Sequence, residues 1–441
     1  MVPLRFRAVL DISNNHLSGT IPGWIVNKSY TRVPKIVDLS NNFFIGRIPC
    51  VNGSHVIINF SNNLLSGLLP ACLNLQDVRH VFLQGNKLIG SLPKAVLNSS
   101  SLVTLDIRDN SFFGSIPEEI DGLSNLKVLL LSGNNFSGMI PKQICQLKRI
   151  GIMDLSNNSF SGTIPYCFHN ITFGKLASSD FVYTHNLGFG IGGFSLPYKS
   201  FRDKTLEIQG SIFLFWEQVE IVFVMKYRSD LYKGLILDLV SVLDLSLNKL
   251  TGEIPPTLGQ LSSICAMNLS YNQLTGPIPK SFSNLTQSES LDLSHNNLSG
   301  EIPSVLTDLT FLEAFNVNHN NLSGKVPNIK QFSTFEKSSY EGNPFLCGPP
   351  LEKSCTDKDE SPPSPQIPSK TNDGKWYEVN LPVFSTIFSV SYVIFFLGVA
   401  SILYINPHWR QRCFNLVEDR MYWCYFFALN TLKGLPGRMC H

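Results

Sequence analysis

The sequence is poor in charge and lacks the short motifs that mark common enzyme families. Asp, Glu, Lys and Arg make up 15% of the chain and the formal net charge is +2, which gives no reason to expect a nucleic-acid partner. H-E-x-x-H, G-x-S-x-G, P-loop, H-R-D and D-F-G sequences are all missing, and there is no C-x-x-C pair. These absences predict a protein that is not an enzyme, holds no metal and needs no cofactor.

One pattern, L-x-L-x-x-N-x-x-x-G-x-[I/L/V]-P, recurs along most of the chain. From the fourth copy onward most steps are 24 residues, and a fixed period in the twenties is typical of a leucine-rich-repeat solenoid whose turns share one core. We therefore expect an α/β-type solenoid built mostly from short parallel strands. The asparagine of each copy is Asn15, Asn42, Asn63, Asn86, Asn110, Asn134, Asn158, Asn248, Asn272, Asn296 or Asn320.

A single copy shows the roles of these letters. Side chains alternate along a strand, so Leu291 and Leu293 are expected to point inward while Asp292 and Ser294 face outward. The side chain of Asn296 can bridge to backbone groups of the neighbouring turn and satisfy polar groups that the strands leave open.

Residues 381–405 contain no charged side chain and are predicted to form one transmembrane helix, since about 20 apolar residues span a bilayer. A buried core helix is the alternative. Arg410 and Arg412 follow the apolar run, whereas Asp373 and Glu378 precede it. The positive-inside rule therefore predicts a single-pass type I protein of the plasma membrane, with the solenoid outside and the C-terminus cytosolic.

No signal peptide is visible, because the first residues contain Arg5 and Arg7 but no apolar run. The first repeat begins almost at once, without an N-terminal cap. We expect the chain to be the C-terminal part of a longer receptor. In the alternative, the helix at 381–405 inserts tail-first and leaves the solenoid in the cytosol.

Cysteine spacing suggests an oxidising compartment. Two pairs are 22 residues apart, about one solenoid turn, and a third pair follows the last repeat, where a bridge would hold a cap over the end of the core. Cys265 is left over and is expected to be a small buried hydrophobe. The candidate pairs are Cys50 with Cys72, Cys145 with Cys167, and Cys347 with Cys355.

Sequons for N-glycosylation also precede the apolar run, although many arise from the Asn-Leu-Ser of the repeat itself. The candidates are Asn27, Asn52, Asn59, Asn98, Asn135, Asn157, Asn170, Asn268, Asn284, Asn297 and Asn321.

The repeat is interrupted between Asn158 and Asn248. The insertion, about residues 171–238, carries no repeat pattern but many aromatic residues, which argues against disorder. A long irregular segment inside a compact array is usually functional. Its G-x-G-x-x-G stretch at 188–193 lies in no β-α-β unit, so a flexible segment is preferred over a dinucleotide site.

The order of segments resembles that of a plant leucine-rich-repeat receptor-like protein, which is anchored in the membrane and has no kinase domain. The segments are residues 1–165 (seven repeats), 166–241 (an island insertion), 242–330 (four repeats), 331–356 (a C-terminal cap), 357–380 (an acidic Pro/Ser-rich juxtamembrane stretch), 381–405 (the transmembrane helix) and 406–441 (a short cytoplasmic tail).

This resemblance implies an extracellular peptide or protein ligand and leucine-rich-repeat receptor kinases as co-receptors. Some relatives carry K-x5-Y near the end of the island, and Lys226 with Tyr232 matches that motif. The companion Y-x8-K-G motif is met only by Tyr166 and Lys175.

Outward strand positions in the fourth to sixth copies depart from the usual letters. Adjacent strands lie roughly 4.8 Å apart, so these positions would form one mixed patch on the concave face, suited to recognising a peptide or protein. Sequence drift in an exposed strip is the alternative. The patch consists of His80, Phe82, Gln84, Thr104, Asp106, Arg108, Val128, Leu130 and Ser132.

Three functions remain open on these grounds. The leading hypothesis is a cell-surface receptor acting in defence or development. The alternatives are an extracellular inhibitor of cell-wall-degrading enzymes, which the membrane helix and island disfavour, and a truncated, non-signalling remnant or decoy.

Overall fold

The computed structural model describes residues 9–26, 36–52, 55–173, 220–226, 228–233, 237 and 240–355. Each repeat contributes a strand to one parallel sheet, a strand to a second parallel sheet, and in most turns a short helical segment that closes the turn. The expected leucine-rich-repeat solenoid with parallel strands is confirmed.

The first sheet, here called the inner sheet, has eleven strands among the described residues, one for each predicted asparagine. Neighbouring strands pair in parallel and in register, even where β13 meets β17 across the insertion. The strands are β1 Val9–Asp11, β3 Ile36–Asp38, β5 Ile57–Asn59, β7 His80–Phe82, β9 Thr104–Asp106, β11 Val128–Leu130, β13 Ile152–Asp154, β17 Val242–Asp244, β19 Ala266–Asn268, β21 Ser290–Asp292 and β23 Ala314–Asn316.

The second sheet, here called the lateral sheet, follows the N-x-x-x-G part of each repeat. Its strands are β2 Ser18–Thr20, β4 Phe43–Gly46, β6 Leu64–Leu68, β8 Lys87–Gly90, β10 Ser111–Gly114, β12 Asn135–Met139, β14 Ser159–Gly162, β18 Lys249–Glu253, β20 Gln273–Gly276, β22 Asn297–Glu301, β24 Asn321–Lys325 and β25 Phe345–Cys347.

Most of the short helices directly follow a proline, whose fixed φ and missing N–H suit a helix start. The short helices comprise α1 Lys94–Leu97 and the 3₁₀ segments Gly23–Ile25, Glu118–Gly122, Lys142–Gln146, Tyr166–Asn170, Pro256–Gln260, Lys280–Asn284, Ser304–Asp308, Lys330–Thr334 and Lys337–Ser339. The last two follow Ile329 and Glu336 instead.

The core between the two sheets is continuous from turn to turn. Phe112, Phe136 and Phe160 stack in a column with 6.2 Å between successive ring centroids. Leu291 and Leu293 are fully buried, as expected from strand alternation. The residues that face outward are less exposed than expected. Asp292 is only 8% exposed, and its carboxylate accepts a hydrogen bond from the backbone N–H of Ser294.

The asparagine ladder joins each turn to its neighbours. Asn134 Nδ2 lies within hydrogen-bond distance of the carbonyl oxygens of Ile107, Leu131 and Ser132, and Asn134 Oδ1 accepts from the backbone N–H of Phe112 at 3.0 Å. The predicted bridging role of Asn296 is confirmed in the same way, by its bonds to the carbonyls of Leu269 and Leu293.

The cap continues the solenoid beyond the last predicted repeat. Asn343 donates to the carbonyls of Val317 and Tyr340 and accepts from the N–H of Leu322, so it is a twelfth member of the ladder. Strand β25 then pairs with β24. The end of the core is thus covered by one further, irregular turn.

Three disulfides tie neighbouring parts of the solenoid together. They join Cys50 to Cys72, Cys145 to Cys167 and Cys347 to Cys355, with Cα–Cα distances of 5.4, 5.8 and 5.1 Å. Cys265 is a free thiol that is half-buried, rather than buried as expected, and accepts from the Ser241 hydroxyl.

The seventh turn of the solenoid continues past residue 166. The segment Tyr166–Asn170 closes the seventh turn like its counterparts, and Ile171 and Phe173 are buried in the common core. Within the insertion, β15 Glu220–Met225 and β16 Arg228–Lys233 form an antiparallel hairpin that is a separate two-stranded sheet.

Within the described ranges, no helix has the length and apolar character needed to cross a bilayer. The predicted membrane helix at 381–405, the acidic stretch at 357–380, the tail at 406–441, the glycine-rich stretch at 188–193 and Lys175 lie outside those ranges.

Candidate ligand-binding surface

The nine residues of the predicted patch lie side by side on the inner sheet. His80, Thr104 and Val128 are register partners on β7, β9 and β11, and so are Phe82, Asp106 and Leu130. Gln84, Arg108 and Ser132 each follow two residues after these strands.

The patch is not the open strip that we expected. Six of its members are buried, with Asp106 1% exposed and Leu130 0% exposed. The hairpin explains part of this burial, because Ile221 and Phe223 of β15 pack into one apolar cluster with Phe82, Val128 and Leu130. The hairpin and the inner sheet therefore form one continuous surface.

Arg108 forms an ion pair within the patch and a hydrogen bond to the hairpin. Its Nε and Nη2 donate to the two carboxylate oxygens of Asp106 at 2.9 and 2.6 Å, a bidentate arrangement that favours Arg over Lys. Burial raises the pKa of Asp106, and the Arg108 guanidinium offsets part of that rise. Arg108 Nη1 also donates to the backbone oxygen of Val222 at 2.5 Å, which attaches the hairpin.

Both residues of the K-x5-Y motif belong to the hairpin. Lys226 follows β15 at the turn, and its Nζ lies 2.6 Å from a carboxylate oxygen of Glu289 and 2.6 Å from one of Glu313. Tyr232 lies on β16 and stacks on Phe223, with 4.1 Å between ring centroids. The motif therefore connects the hairpin to the last two inner strands.

A cavity of about 250 Å³ lies between the hairpin and the inner sheet. Its wall includes Arg108, Ser132, Asp154, Phe223 and Asp244. Burial, followed by the neighbouring Asp154 carboxylate, raises the pKa of Asp244 to about 7. Ser132 donates to Asp154 at 2.7 Å, so one of the two carboxyl groups already has a hydroxyl donor.

Two histidines on adjacent turns of the solenoid stack on each other. The rings of His295 and His319 lie 4.3 Å apart, and Tyr271 extends the column at 4.0 Å from His295. Within the described part of the chain, no cluster of three or more His, Cys, Asp or Glu side chains could hold a metal ion.

Comparisons with known proteins show what this chain is similar to. Two family models described as leucine-rich repeat match the chain, one at residues 100–160 and 238–298 and the other at 8–27, 150–171 and 288–309. Cuscuta receptor 1 of Solanum lycopersicum is 58% identical over 50% of this chain and 20% of its own length. Receptor-like protein 56 of Arabidopsis thaliana is 47% identical over 57% of this chain and 27% of its own length.

The chain carries leucine-rich repeats and is similar to plant receptor-like proteins. The predicted resemblance to that kinase-less group is confirmed. The chain spans between a fifth and about a quarter of the length of these relatives.

Solved structures agree on the fold. The Arabidopsis receptor kinase HAESA, in complex with the peptide hormone IDA and the co-receptor SERK1, superposes with a TM-score of 0.56 and 30% identity, covering 77% of this chain and 46% of that one. A TDR receptor structure gives 0.53 and 26%, covering 73% and 44%.

The sequons of this chain differ in accessibility. Asn59 and Asn268 lie on inner strands with their amide oxygens accepting from Ser61 and Ser270. Asn27 lies outside the described residues. The exposed sequons are Asn52, Asn98, Asn135, Asn157, Asn170, Asn284, Asn297 and Asn321.

Sequence reasoning missed the hairpin's own contact residues. Ile221, Val222 and Phe223 belong to an apolar, β-branched run that is typical of a strand, so the signal was present. Glu289 and Glu313 each precede an inner strand, and nothing in their repeats marks them as partners of Lys226.

Proposed function

We propose that this chain is a plant cell-surface receptor-like protein that binds an extracellular peptide or protein and signals through partner receptor kinases, in defence or development. The names of its relatives support the receptor role. The HAESA structure supports the kind of ligand and partner, since that receptor is described with a peptide hormone and a co-receptor.

The observation that carries the proposal is the junction of the inner sheet with the hairpin. It combines a half-buried arginine, aromatic side chains and a partly polar cavity, which are features of recognition surfaces. The cavity of about 250 Å³ is smaller than typical small-molecule sites of roughly 300–1,000 Å³. It suits a side chain of a bound peptide better than a whole small molecule.

The residues proposed to contact the ligand are those of the patch together with the hairpin motif. In this proposal Arg108 supplies the charged anchor and Phe82, Val128 and Leu130 supply apolar area that becomes available when the hairpin moves. Lys226 and Tyr232 set the position of the hairpin.

Membrane anchoring by residues 381–405, with the solenoid outside and the tail at 406–441 in the cytosol, is part of the proposal. A gel-shift after glycosidase treatment of the full chain, produced in plant cells from Met1, tests this topology. We expect treatment to lower the apparent mass. An unchanged mass would contradict an outside solenoid for this form.

Association with a receptor kinase is tested by co-precipitation from plant membranes. We expect a leucine-rich-repeat receptor kinase to co-purify with the full chain and to be lost when residues 174–239 are deleted. That deletion leaves the turns able to stack, because β13 already pairs with β17. Undiminished recovery after the deletion would remove the insertion from partner binding.

A further inference from the structure

The hairpin is attached to the solenoid by side chains rather than by a shared sheet. Its two strands pair only with each other, and the described hydrogen bonds include no backbone ladder between them and the inner sheet. A lone two-stranded hairpin is marginal in water. Its position over the inner sheet therefore depends on a few identifiable contacts.

The underside of the hairpin supplies the apolar part of this attachment. Ile221 and Phe223 are buried against the inner sheet, whereas Val222 and its cross-strand partner Leu231 are 42% and 49% exposed. Burial of only two side chains stabilises the attachment modestly, and the entropy of ordering the segment opposes it. This is a contact that can be made and broken.

Two sets of polar contacts between the hairpin and the solenoid lie far apart on the inner sheet. Arg108, just after β9, holds the carbonyl of Val222, and Glu289 and Glu313, just before β21 and β23, hold the ammonium of Lys226. Strands β9 and β21 are five steps apart, or about 24 Å at the usual strand spacing. The hairpin thus bridges the inner sheet over the cavity.

Lys226 is the point at which this bridge can open. Its side chain is 21% exposed, and it neutralises two carboxylates on adjacent turns that would otherwise face each other as like charges. Ion pairs that water can reach are individually weak, so both can be broken by thermal opening or by a competing ligand.

We propose that the hairpin is a releasable strap over the inner sheet, that Lys226 is its latch on Glu289 and Glu313, and that opening the latch exposes the ligand-binding surface beneath. This inference rests on the proposed function for what binds there, but the strap itself is defined by contacts within the chain. Access to the site is then regulated by the insertion.

Hydrogen exchange on the full chain tests the strap without any ligand. In Lys226→Ala, and separately in the double variant Glu289→Gln/Glu313→Gln, we expect backbone amides of 220–233 to exchange about tenfold faster than in the wild type, while those of 290–316 are unchanged. Lys330→Ala, which removes the ordinary ion pair with Asp308, is the matched control and should leave 220–233 unaffected.

Thiol labelling measures access to the cavity directly. In a Ser132→Cys background, a maleimide probe should modify position 132 faster when Lys226→Ala is added, and the charge-swapped combination of Lys226→Glu with Glu289→Lys and Glu313→Lys should slow it again. Unchanged exchange at 220–233 and unchanged labelling at 132 in both latch variants would overturn the strap. Failure to find any ligand would instead count against the proposed function.

Discussion

Arg108 donates a hydrogen bond from Nη1 to the backbone oxygen of Val222, a residue 114 positions further along the chain, while its other nitrogens hold Asp106. One side chain therefore stabilises a buried carboxylate and attaches the insertion to the solenoid. The contact between the patch and the hairpin therefore depends on this arginine.

Removing Arg108 should destabilise the solenoid strongly. In Arg108→Met we expect the free energy of unfolding in urea to fall by about 3–5 kcal/mol, because Asp106 is left buried and unpaired. The double variant Asp106→Leu/Arg108→Met removes both charges and should be clearly less destabilised. Equal losses in the single and double variants would argue against the buried pair as the cause.

Removing one ladder asparagine should be nearly as damaging. Asn134→Ala leaves the buried N–H of Phe112 without a partner, which costs roughly 1–3 kcal/mol. It also removes one of the two donors to each of the carbonyls of Ile107, Leu131 and Ser132. We expect a loss of about 2–4 kcal/mol by urea unfolding. Gln273→Ala, at an exposed position of β20, is the control and should change stability by less than about 0.5 kcal/mol.

The repeat letters were sufficient to predict the solenoid, its eleven inner strands and the bridging role of Asn296. They also placed the nine patch residues on three adjacent turns, because register follows directly from the period. The twelfth ladder member, Asn343, was missed because the segment before it has no L-x-L pattern.

The position of the hairpin could not be predicted in the same way. Its contacts join residues that are far apart in sequence, such as Lys226 and Glu313, and no periodicity relates them. Asp106 and Leu130 are buried partly because the hairpin packs near them, and the strand pattern gives no sign of that contact. The sequence therefore indicated where the patch lies in the solenoid, but not that the hairpin packs against it.

Stability should fall as pH rises toward neutrality. The pKa of Asp244 is raised by burial and by Asp154 to about 7, above its unfolded value near 3.8. Its contribution to stability is therefore complete below pH 3.8 and is lost as pH rises through about 7. We expect the unfolding temperature measured by circular dichroism to decrease between pH 4.5 and 7.5.

Asp244→Asn should reduce this slope. A residual slope is expected, because burial also raises the pKa of Asp38 and Asp106. If the unfolding temperature of Asp244→Asn falls as steeply with pH as that of the wild type, the Asp244 carboxyl group is charged at all of these pH values.

Glycan occupancy should follow the exposure of the sequons. Glycopeptide mass spectrometry on the chain from plant cells should find glycans at Asn284, Asn297 and Asn321, which are exposed. Asn268 should be unmodified, because its amide donates to Asp244 and accepts from Ser270 on the inner sheet. Full occupancy at Asn268 would mean that this face is open when the chain is glycosylated.

Site-specific photo-crosslinking tests the central claim most directly. A photoreactive residue at Ser132, in the cavity wall, is compared with one at Gln146, on the exposed helical side, in the full chain expressed in plant tissue. We predict an adduct with an extracellular peptide or protein from position 132 only. The same adducts from both positions, or none from position 132, would contradict ligand binding at the inner sheet.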